Sequence, residues 1–163
     1  MYVDALSFLE DEREAWEPFE ALGGLTDADL ERPMPQDGPC HGWSGRDLAA
    51  HLVAWQQVAL QAARELALGD DSPTIARTDA EWDASGGDAI NEAIRAEWRA
   101  LPLDEVRRRL ATVPGELRGY LTVVPEIRWV KNPKRLQFFM SQTLDHYPEH
   151  RPELDAILAA ARG

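Results

Sequence analysis

Three histidines, His51, His146 and His150, have the residue type and the spacing to bind a metal ion. His146 and His150 are four residues apart, so on one helix their imidazoles would project from the same side, one turn apart. His51 lies between Leu48 and Trp55 in an apolar helical pattern, which predicts that it also faces the core. Three imidazole nitrogens can coordinate a divalent cation at about 2.1 Å and leave a fourth position for water or substrate. The spacing therefore predicts an open metal site.

A simpler interpretation of these histidines stays open at this point. A core-facing histidine is more often hydrogen-bonded than ligated, and His146 could pair with Asp145 or Glu149. The same two carboxylates are candidates to orient the imidazoles, and Asn91 is a candidate for a polar contact. A structural role is the favoured interpretation for Asp145, Glu149 and Asn91.

Two further groups of residues are weaker candidates for a site. Cys40 and His41 could act as nucleophile and base, but adjacent residues rarely turn their side chains toward each other, and nothing orients the imidazole. The basic run from Arg107 to Arg109 lies inside a helical pattern, where such a cluster is usually a solvated face. We expect neither group to be functional.

The hydrophobic pattern predicts an all-α fold. Apolar residues recur at three-to-four spacing in each long segment, and no stretch alternates as a half-buried strand does. The first helix is predicted from Val3 to Leu22, and a long connection from Leu25 to Gly42 follows, with one short turn around Asp27 to Leu30. The residues of the first helix that we expect to be buried are Leu6, Leu9, Trp16 and Phe19.

Start and stop signals divide the middle of the chain. A capping box of Ser44 and Asp47 predicts the beginning of a second helix, which continues to Gly69. The segment Asp70 to Thr78 is predicted to be a loop around Pro73. A third helical region begins near Asp88, is kinked or broken at Pro102, and ends near Tyr120, which is predicted to face the core.

The last helix is predicted to contain two of the three histidines. It begins at Pro133 and continues through His146 and His150 to Leu158, with a kink at Pro148, which lacks a backbone donor. Four helical regions of comparable length bury their apolar stripes most simply as a four-helix bundle. A chain of 163 residues is expected to form one domain, residues 1–163.

Two segments of the chain together resemble the signature of the DinB-like superfamily. They are WSGRDLAAHLVAW, from Trp43 to Trp55, and DHYPEH, from Asp145 to His150. The superfamily includes the DinB/YfiT proteins, the N-terminal domain of mycothiol-dependent maleylpyruvate isomerase, and the DfsB/ClbS-type proteins. The resemblance covers nearly the whole chain, including the region from Trp82 to Asn91. It implies a four-helix bundle of up-down-down-up topology whose metal ligands map onto His51, His146 and His150.

The resemblance also implies an activity. Characterised relatives bind a low-molecular-weight thiol such as mycothiol or bacillithiol, and a bound divalent metal lowers the pKa of a thiol or water. The chain is thus expected to be a metal-dependent S-transferase that acts on small electrophiles. The alternatives are a metal-dependent hydrolase of the DfsB/ClbS type and a non-catalytic metal-binding bundle. Zinc or nickel is the favoured ion, iron and copper also suit three histidines, and no catalytic residue beyond the ligands is assigned.

Composition narrows the partners and the compartment. A net charge of -12 disfavours nucleic acid and anionic lipid surfaces, and no segment reaches the roughly 18 apolar residues of a membrane span. The single Cys40 and the lack of a secretory signal predict a cytoplasmic protein. The absence of the isomerase's C-terminal domain predicts a reaction other than maleylpyruvate isomerisation. Leftover apolar helix faces and the dimeric state of many relatives predict a homodimer.

Overall fold

The all-α prediction is confirmed by a computed structural model that describes all 163 residues. Short 3-10 segments, which have tighter turns than an α-helix, connect several of the α-helices. These segments are Glu17–Gly24, Glu126–Arg128 and Tyr147–His150. The α-helices are α1 (Ala5–Trp16), α2 (Asp27–Glu31), α3 (Gly45–Leu68), α4 (Pro73–Ser85), α5 (Gly87–Arg99), α6 (Leu103–Val123), α7 (Pro133–Gln142) and α8 (Arg151–Arg162).

Helix α3 is the centre of the molecule. It packs against α2, α4, α5, α6, α7 and α8, and every residue from Asp47 to Gln56 is buried. A helix that is buried on all sides is typical of the interior of a bundle. His51 therefore lies on the most enclosed helix of the protein.

The predicted capping box at the beginning of α3 is present. The hydroxyl of Ser44 accepts a hydrogen bond from the backbone N–H of Asp47 at 3.2 Å, and the Asp47 carboxylate accepts one from the backbone N–H of Ser44 at 3.0 Å. Asp47 also forms ion pairs with Arg95 at 3.2 Å and with Arg99 at 3.1 Å. These contacts fix the N-terminal end of α3, and His51 lies about two turns further along the helix.

The first helix is shorter than predicted. Helix α1 ends at Trp16, because Pro18 has no N–H to continue the hydrogen-bond ladder, and the chain tightens into the 3-10 segment Glu17–Gly24. The prediction that Leu6 is buried is wrong, since its side chain is 65% exposed. Phe8 and Glu12 lie on the inward face instead. A buried glutamate interrupts the apolar stripe, so the spacing of apolar residues in the sequence does not reveal this face.

The prediction of a loop from Asp70 to Thr78 is also wrong, because α4 begins within it at Pro73. Proline suits the first turn of a helix, and Ser72 caps α4 by accepting from the backbone N–H of Ile75 at 3.2 Å. Thr74 is the only buried residue of α4, so this helix carries no apolar stripe that the sequence could reveal.

The break at Pro102 in the third helical region is confirmed, but the prediction that Tyr120 faces the core is wrong. Helix α5 ends at Arg99 and α6 begins at Leu103, directly after Pro102. Tyr120 does not face the core as predicted. It lies at the edge, 37% exposed, where the guanidinium of Arg64 packs over its ring at 5.3 Å.

No helix in the structure has both the length and the apolar character needed to cross a membrane.

Candidate metal centre

His51 is held in a buried and aromatic environment on α3. Its side chain is 6% exposed, and the indole of Trp43 packs edge-on against its ring with centroids 5.2 Å apart. The guanidinium of Arg95 lies over the Trp43 ring at 5.7 Å and also pairs with Asp47. The helix cap and the histidine environment therefore share the same side chains.

His146 and His150 do not lie on one continuous helix, contrary to the prediction. Helix α7 ends at Gln142, and Thr143 leaves helical geometry with φ −134° and ψ −97°. The chain then turns through the 3-10 segment Tyr147–His150 before α8 begins at Arg151. Pro148 contributes because it cannot donate to the carbonyl four residues earlier. The break, however, comes before the predicted kink, at Thr143.

The structure nevertheless brings the three imidazoles together. The Nε2 atom of His51 lies 2.8 Å from Nε2 of His146 and 3.0 Å from Nε2 of His150. The ring centroids of the three histidines are separated by 4.6 to 4.8 Å. One ligand atom from each residue lies within 4.8 Å of the others, so the group could hold a metal ion.

The electrostatic environment favours neutral imidazoles. Burial, followed by the proximity of His146 and His150, lowers the pKa of His51 to about 3. Burial, followed by the proximity of His150, lowers the pKa of His146 to about 4. A neutral imidazole offers a lone pair, which is the form that binds a metal. Near neutral pH these two side chains are thus ready to act as ligands.

Hydrogen bonding within the protein does not satisfy this cluster. A neutral imidazole has one N–H and one lone pair, so His51 Nε2 can form a linear hydrogen bond with only one of its two neighbours. The Nδ1 atoms of His51 and His146 are buried and have no hydrogen-bond partner. Three imidazole nitrogens gathered this closely match the nitrogen donor set of a divalent transition metal. The residues present therefore fit such an ion.

Glu153 is a member of the site that the sequence reasoning missed. Its Oε1 atom lies 3.1 Å from Nδ1 of His150, where it can accept a hydrogen bond from the Nδ1–H group and leave Nε2 of His150 free as a ligand. Glu153 follows His150 by three residues, a spacing that places two side chains on one face of a helix. That spacing was the available signal, but the prediction of Asp145 and Glu149 as orienting groups overlooked it.

The other candidate carboxylates and the amide lie away from the imidazole nitrogens. Asp145 is exposed and accepts a hydrogen bond from Gln137 at 3.2 Å, and Glu149 is exposed and has no hydrogen bond to a histidine. Asn91 accepts a hydrogen bond from the indole N–H of Trp55 at 3.0 Å. Asn91 thus fixes the orientation of an aromatic side chain.

The structure separates Cys40 from His41. Cys40 is buried, with Sγ 3.6 Å from the carbonyl oxygen of Glu153, whereas His41 is exposed and has a φ of +48°. Burial, together with the charge of Glu153, raises the pKa of the Cys40 thiol. A protonated, enclosed thiol is a poor nucleophile.

The basic run has structural partners. Arg107 donates to the carbonyl oxygens of Gly23 and Leu25, at 3.0 and 2.8 Å. Arg108 and Arg109 both pair with Glu105, at 2.7 and 2.8 Å. Arg107 thus connects α6 to the residues that end the first 3-10 segment, whereas Arg108 and Arg109 form ion pairs within α6.

The three histidines line an open cavity of about 1250 Å³. One part of its wall is aromatic and comes from α3, α4, α7 and the residues just before α3. A second part is polar and comes mainly from α7. The aromatic residues are Trp43, Trp55, Trp82 and Phe138, and the polar residues of the α7 region are Asn132, Lys134, Arg135, Gln137, Ser141 and Gln142.

Fold and site together define the class of this protein. It is an all-α bundle with a buried cluster of three histidines that could hold a divalent metal beside an open cavity. The family model described as "Mycothiol maleylpyruvate isomerase N-terminal domain" matches residues 11–140, most of the chain. The protein belongs to this family, within the DinB-like superfamily. The matched region contains His51 and ends before His146. No curated protein and no solved structure gave a match.

Proposed function

We propose that this protein is a divalent-metal-dependent S-transferase, which joins a low-molecular-weight thiol to a small electrophile. The observation that carries the proposal is the convergence of three histidine Nε2 atoms on one point of a cavity wall. Membership of a mycothiol-related family supports a thiol, mycothiol or bacillithiol, as one substrate. Zinc or nickel is the proposed ion, and iron is also compatible with three nitrogen ligands.

In this proposal each side chain of the metal centre has a defined role. His51, His146 and His150 would hold the ion, and Glu153 would keep the proton of His150 on Nδ1. When bound, a divalent ion with three protein ligands supplies an open position and lowers the pKa of a thiol there. The buried position of His51 would keep this side of the site dry and strengthen electrostatic interactions.

The cavity supports a reaction between two molecules. Its volume of about 1250 Å³ exceeds the roughly 300–1,000 Å³ of pockets that hold one drug-sized ligand. The aromatic wall around Trp55 and Trp82 suits an apolar body, and the polar wall around Gln137 and Ser141 suits hydroxyl and amide groups. Lys134 in the polar wall forms no ion pair within the protein. We therefore place the electrophile on the aromatic side and the thiol on the polar side.

A chloronitrobenzene is a suitable test electrophile. In the proposed reaction the thiol sulfur forms a bond to the ring carbon, the carbon–chlorine bond breaks, chloride leaves, and the thiol proton passes to solvent. The release of chloride and the change in ring absorbance report the reaction directly. No oxidant or reductant is required.

The test begins with elemental analysis of the purified protein and its His51→Ala variant. We expect near-stoichiometric metal in the parent and little in the variant. His41→Asn is the matched control, since it removes an exposed histidine at a position with positive φ, which asparagine tolerates. Turnover of the chloronitrobenzene should then require both thiol and metal. No metal in the parent after reloading with zinc or nickel would overturn the proposal.

The same assay distinguishes the two alternatives. Metal-dependent consumption of an ester or amide without added thiol would identify a hydrolase of the DfsB/ClbS type. Stoichiometric metal with no turnover of either substrate class would identify a non-catalytic metal-binding bundle. Both outcomes leave the metal centre in place and change only its use.

The proposal also covers the domain organisation, the compartment and the oligomeric state of the protein. We propose that residues 1–163 act as one domain, in the cytoplasm, as a homodimer. Exposed apolar side chains near the ends of α1, α3 and α6 support a protein partner. They are Val3, Leu6, Leu68, Val123 and Ile127. Sedimentation velocity of the parent and of an Ile127→Glu variant tests the dimer, which we expect only in the parent.

A further inference from the structure

A network of polar side chains is buried in the core directly behind the histidine cluster. Tyr147, which lies between His146 and His150 in the sequence, is 1% exposed. Its hydroxyl donates a hydrogen bond to Oε1 of Glu12 at 2.7 Å and accepts one from Nε2 of Gln56 at 2.8 Å. Glu12 and Gln56 are themselves 1% and 0% exposed. The hydroxyl thus meets two side chains that are entirely inside the protein.

The network joins the helices of the bundle to the segment that carries two of the histidines. Glu12 comes from α1 and Gln56 from α3, and Glu12 is also bound by Arg118 of α6, with Arg118 Nε 2.5 Å from Glu12 Oε2. Trp16 and Phe19 pack on the Tyr147 ring, with centroids 5.2 and 5.9 Å away. Three separate helices therefore fix the direction in which the Tyr147 side chain points.

Such a network is not the most stable way to fill a core. A buried carboxylate loses its hydration, and a well-packed apolar group of similar volume often stabilises a fold as much or more. What the hydrogen bonds of such a network do provide is one defined arrangement, because hydrogen bonds are directional. The position of Tyr147 suggests which arrangement this network specifies.

The segment around Tyr147 needs such an anchor. Its backbone N–H groups make local hydrogen bonds: those of Thr143 and Asp145 donate to the carbonyl of Met140 at 3.1 and 2.9 Å, and those of His146 and Tyr147 donate to the carbonyl of Thr143, both at 2.9 Å. A short turn that lies between α7 and the 3-10 segment Tyr147–His150 does not by itself set the distance from His146 to α3. The Tyr147 hydroxyl supplies a contact to α3, through Gln56, on the same helix as His51.

We propose that Tyr147 is a positioning residue which, through Glu12 and Gln56, holds His146 and His150 in register with His51. The metal-binding part of this inference rests on the proposed function, whereas the placement of the segment can be measured without a metal. Helix α3 would then present both the first histidine and the anchor for the other two. Glu12 and Gln56 act through Tyr147 and do not touch the ion.

The experiment compares Tyr147→Phe with Val113→Ala. The first variant removes only the hydroxyl, and the second makes a small hole in the core on α6 at a residue that takes no part in the hydrogen bonds of the network. Hydrogen–deuterium exchange on metal-free protein measures the order of residues 143–150. Cobalt(II) titration measures affinity, and the visible cobalt spectrum reports the coordination geometry. Glu12→Gln serves as the conservative variant, because it keeps an oxygen that can accept from Tyr147.

We expect faster exchange in residues 143–150 of Tyr147→Phe, an altered cobalt spectrum, and an affinity lowered ~10-fold or more, as for other groups that orient metal ligands. Val113→Ala should keep the parent spectrum and local exchange even if it unfolds at a lower temperature. Glu12→Gln should retain the parent spectrum. Equal exchange and equal spectra in Tyr147→Phe and the parent would overturn the inference.

The two proposals can fail separately. A parent that binds no cobalt contradicts the metal-dependent function, and the exchange measurement then decides the role of Tyr147 alone. A parent that binds cobalt, with a Tyr147→Phe variant that binds it identically, supports the metal centre and rejects the positioning role.

Discussion

At the scale of single residues, the protonation state of each imidazole nitrogen determines what the cluster can do. Burial keeps His51 and His146 neutral, and Glu153 contacts the nitrogen of His150 that points away from the other two. A carboxylate behind a ligating imidazole fixes its tautomer and its ring orientation and raises its basicity. Glu153 is therefore the residue whose loss should weaken metal binding without removing a ligand.

The variant Glu153→Gln tests this role. An amide is a weaker acceptor than a carboxylate, so we expect metal affinity to fall ~10- to 100-fold, the usual effect of such partners. Competition with a chromogenic chelator gives the affinity. Asp155→Asn is the control on the same helix, since Asp155 is exposed and pairs with Arg151 only. Equal affinities for parent and Glu153→Gln would contradict the assignment.

At the scale of helices, the beginning of α3 combines a cap with an ion-pair cluster. Asp47 closes the capping box, and it accepts from Arg95 and Arg99 while only 4% of its side chain is exposed. Because α3 carries His51 and packs against six other helices, this short stretch supports both the fold and the site.

Replacing Asp47 with alanine should lower the free energy of unfolding by about 2 kcal/mol, the upper range for the loss of a helix cap. Two arginines also lose their carboxylate, although Arg99 is more than half exposed and its share is screened by solvent. Urea unfolding measures the change. Asp71→Ala, at an exposed position, should stay within about 0.5 kcal/mol of the parent.

The contribution of Asp47 should depend on pH. Burial alone would raise the pKa of Asp47, but hydrogen bonds from Arg99, Arg95 and the backbone of Ser44 outweigh it and lower the pKa below its ordinary value of 3.8. The native state therefore binds this proton less readily than the unfolded state. The stability difference between parent and Asp47→Ala should be constant above about pH 5 and shrink as the pH falls below 4. A difference that grows on acidification would contradict this.

Helix α4 contributes to the cavity rather than to the core. Trp82 is 49% exposed, lines the cavity, and packs edge-on to Trp55 with centroids 5.8 Å apart. A large aromatic side chain that is half exposed in a cavity is suited to pack against a ligand.

Trp82→Ala should lower kcat/KM for the chloronitrobenzene about two- to tenfold, the range of aromatic pair energies. Metal content and unfolding temperature should remain those of the parent, because the side chain adds little to the core. Tyr120→Ala removes a partly exposed aromatic side chain outside the cavity and serves as the control. Loss of bound metal in Trp82→Ala would show that the wall has another role.

At the scale of the whole molecule, an ion on the three histidines would connect α3 to the segment between α7 and α8. The two parts are far apart in the sequence and meet only in the folded state. Any ligand that binds only the native state stabilises it by mass action. Metal should thus act as a cross-link that the unfolded chain lacks.

Zinc or nickel at 100 times the dissociation constant should stabilise the parent by about 2.7 kcal/mol and raise its melting temperature by several degrees. His51→Ala should show no such rise, and a chelator should reverse it in the parent. Differential scanning calorimetry gives both values. An equal rise in parent and variant would mean that the ion binds elsewhere.

The sequence by itself determined the helical class, the capping box, the break at Pro102 and the three candidate histidines. These features depend on local chemistry: the period of apolar residues, a side chain that caps a helix, and a proline without an N–H. Prediction from local patterns failed for α4, because this helix has no stripe of buried apolar residues. It also failed for the inward face of α1, because the buried Glu12 interrupts the apolar stripe there.

Only the tertiary structure decided how the site is built. The break at Thr143 removes the simple argument that His146 and His150 share a helix face, and their rings meet His51 through contacts made across the core. The contacts of the Tyr147 hydroxyl and the Trp82 wall became visible in the same way, whereas the three-residue spacing of His150 and Glu153 was already present in the sequence. Spacing along the chain determines which side chains can share a helix face, whereas the meeting of separate segments depends on packing over the whole molecule.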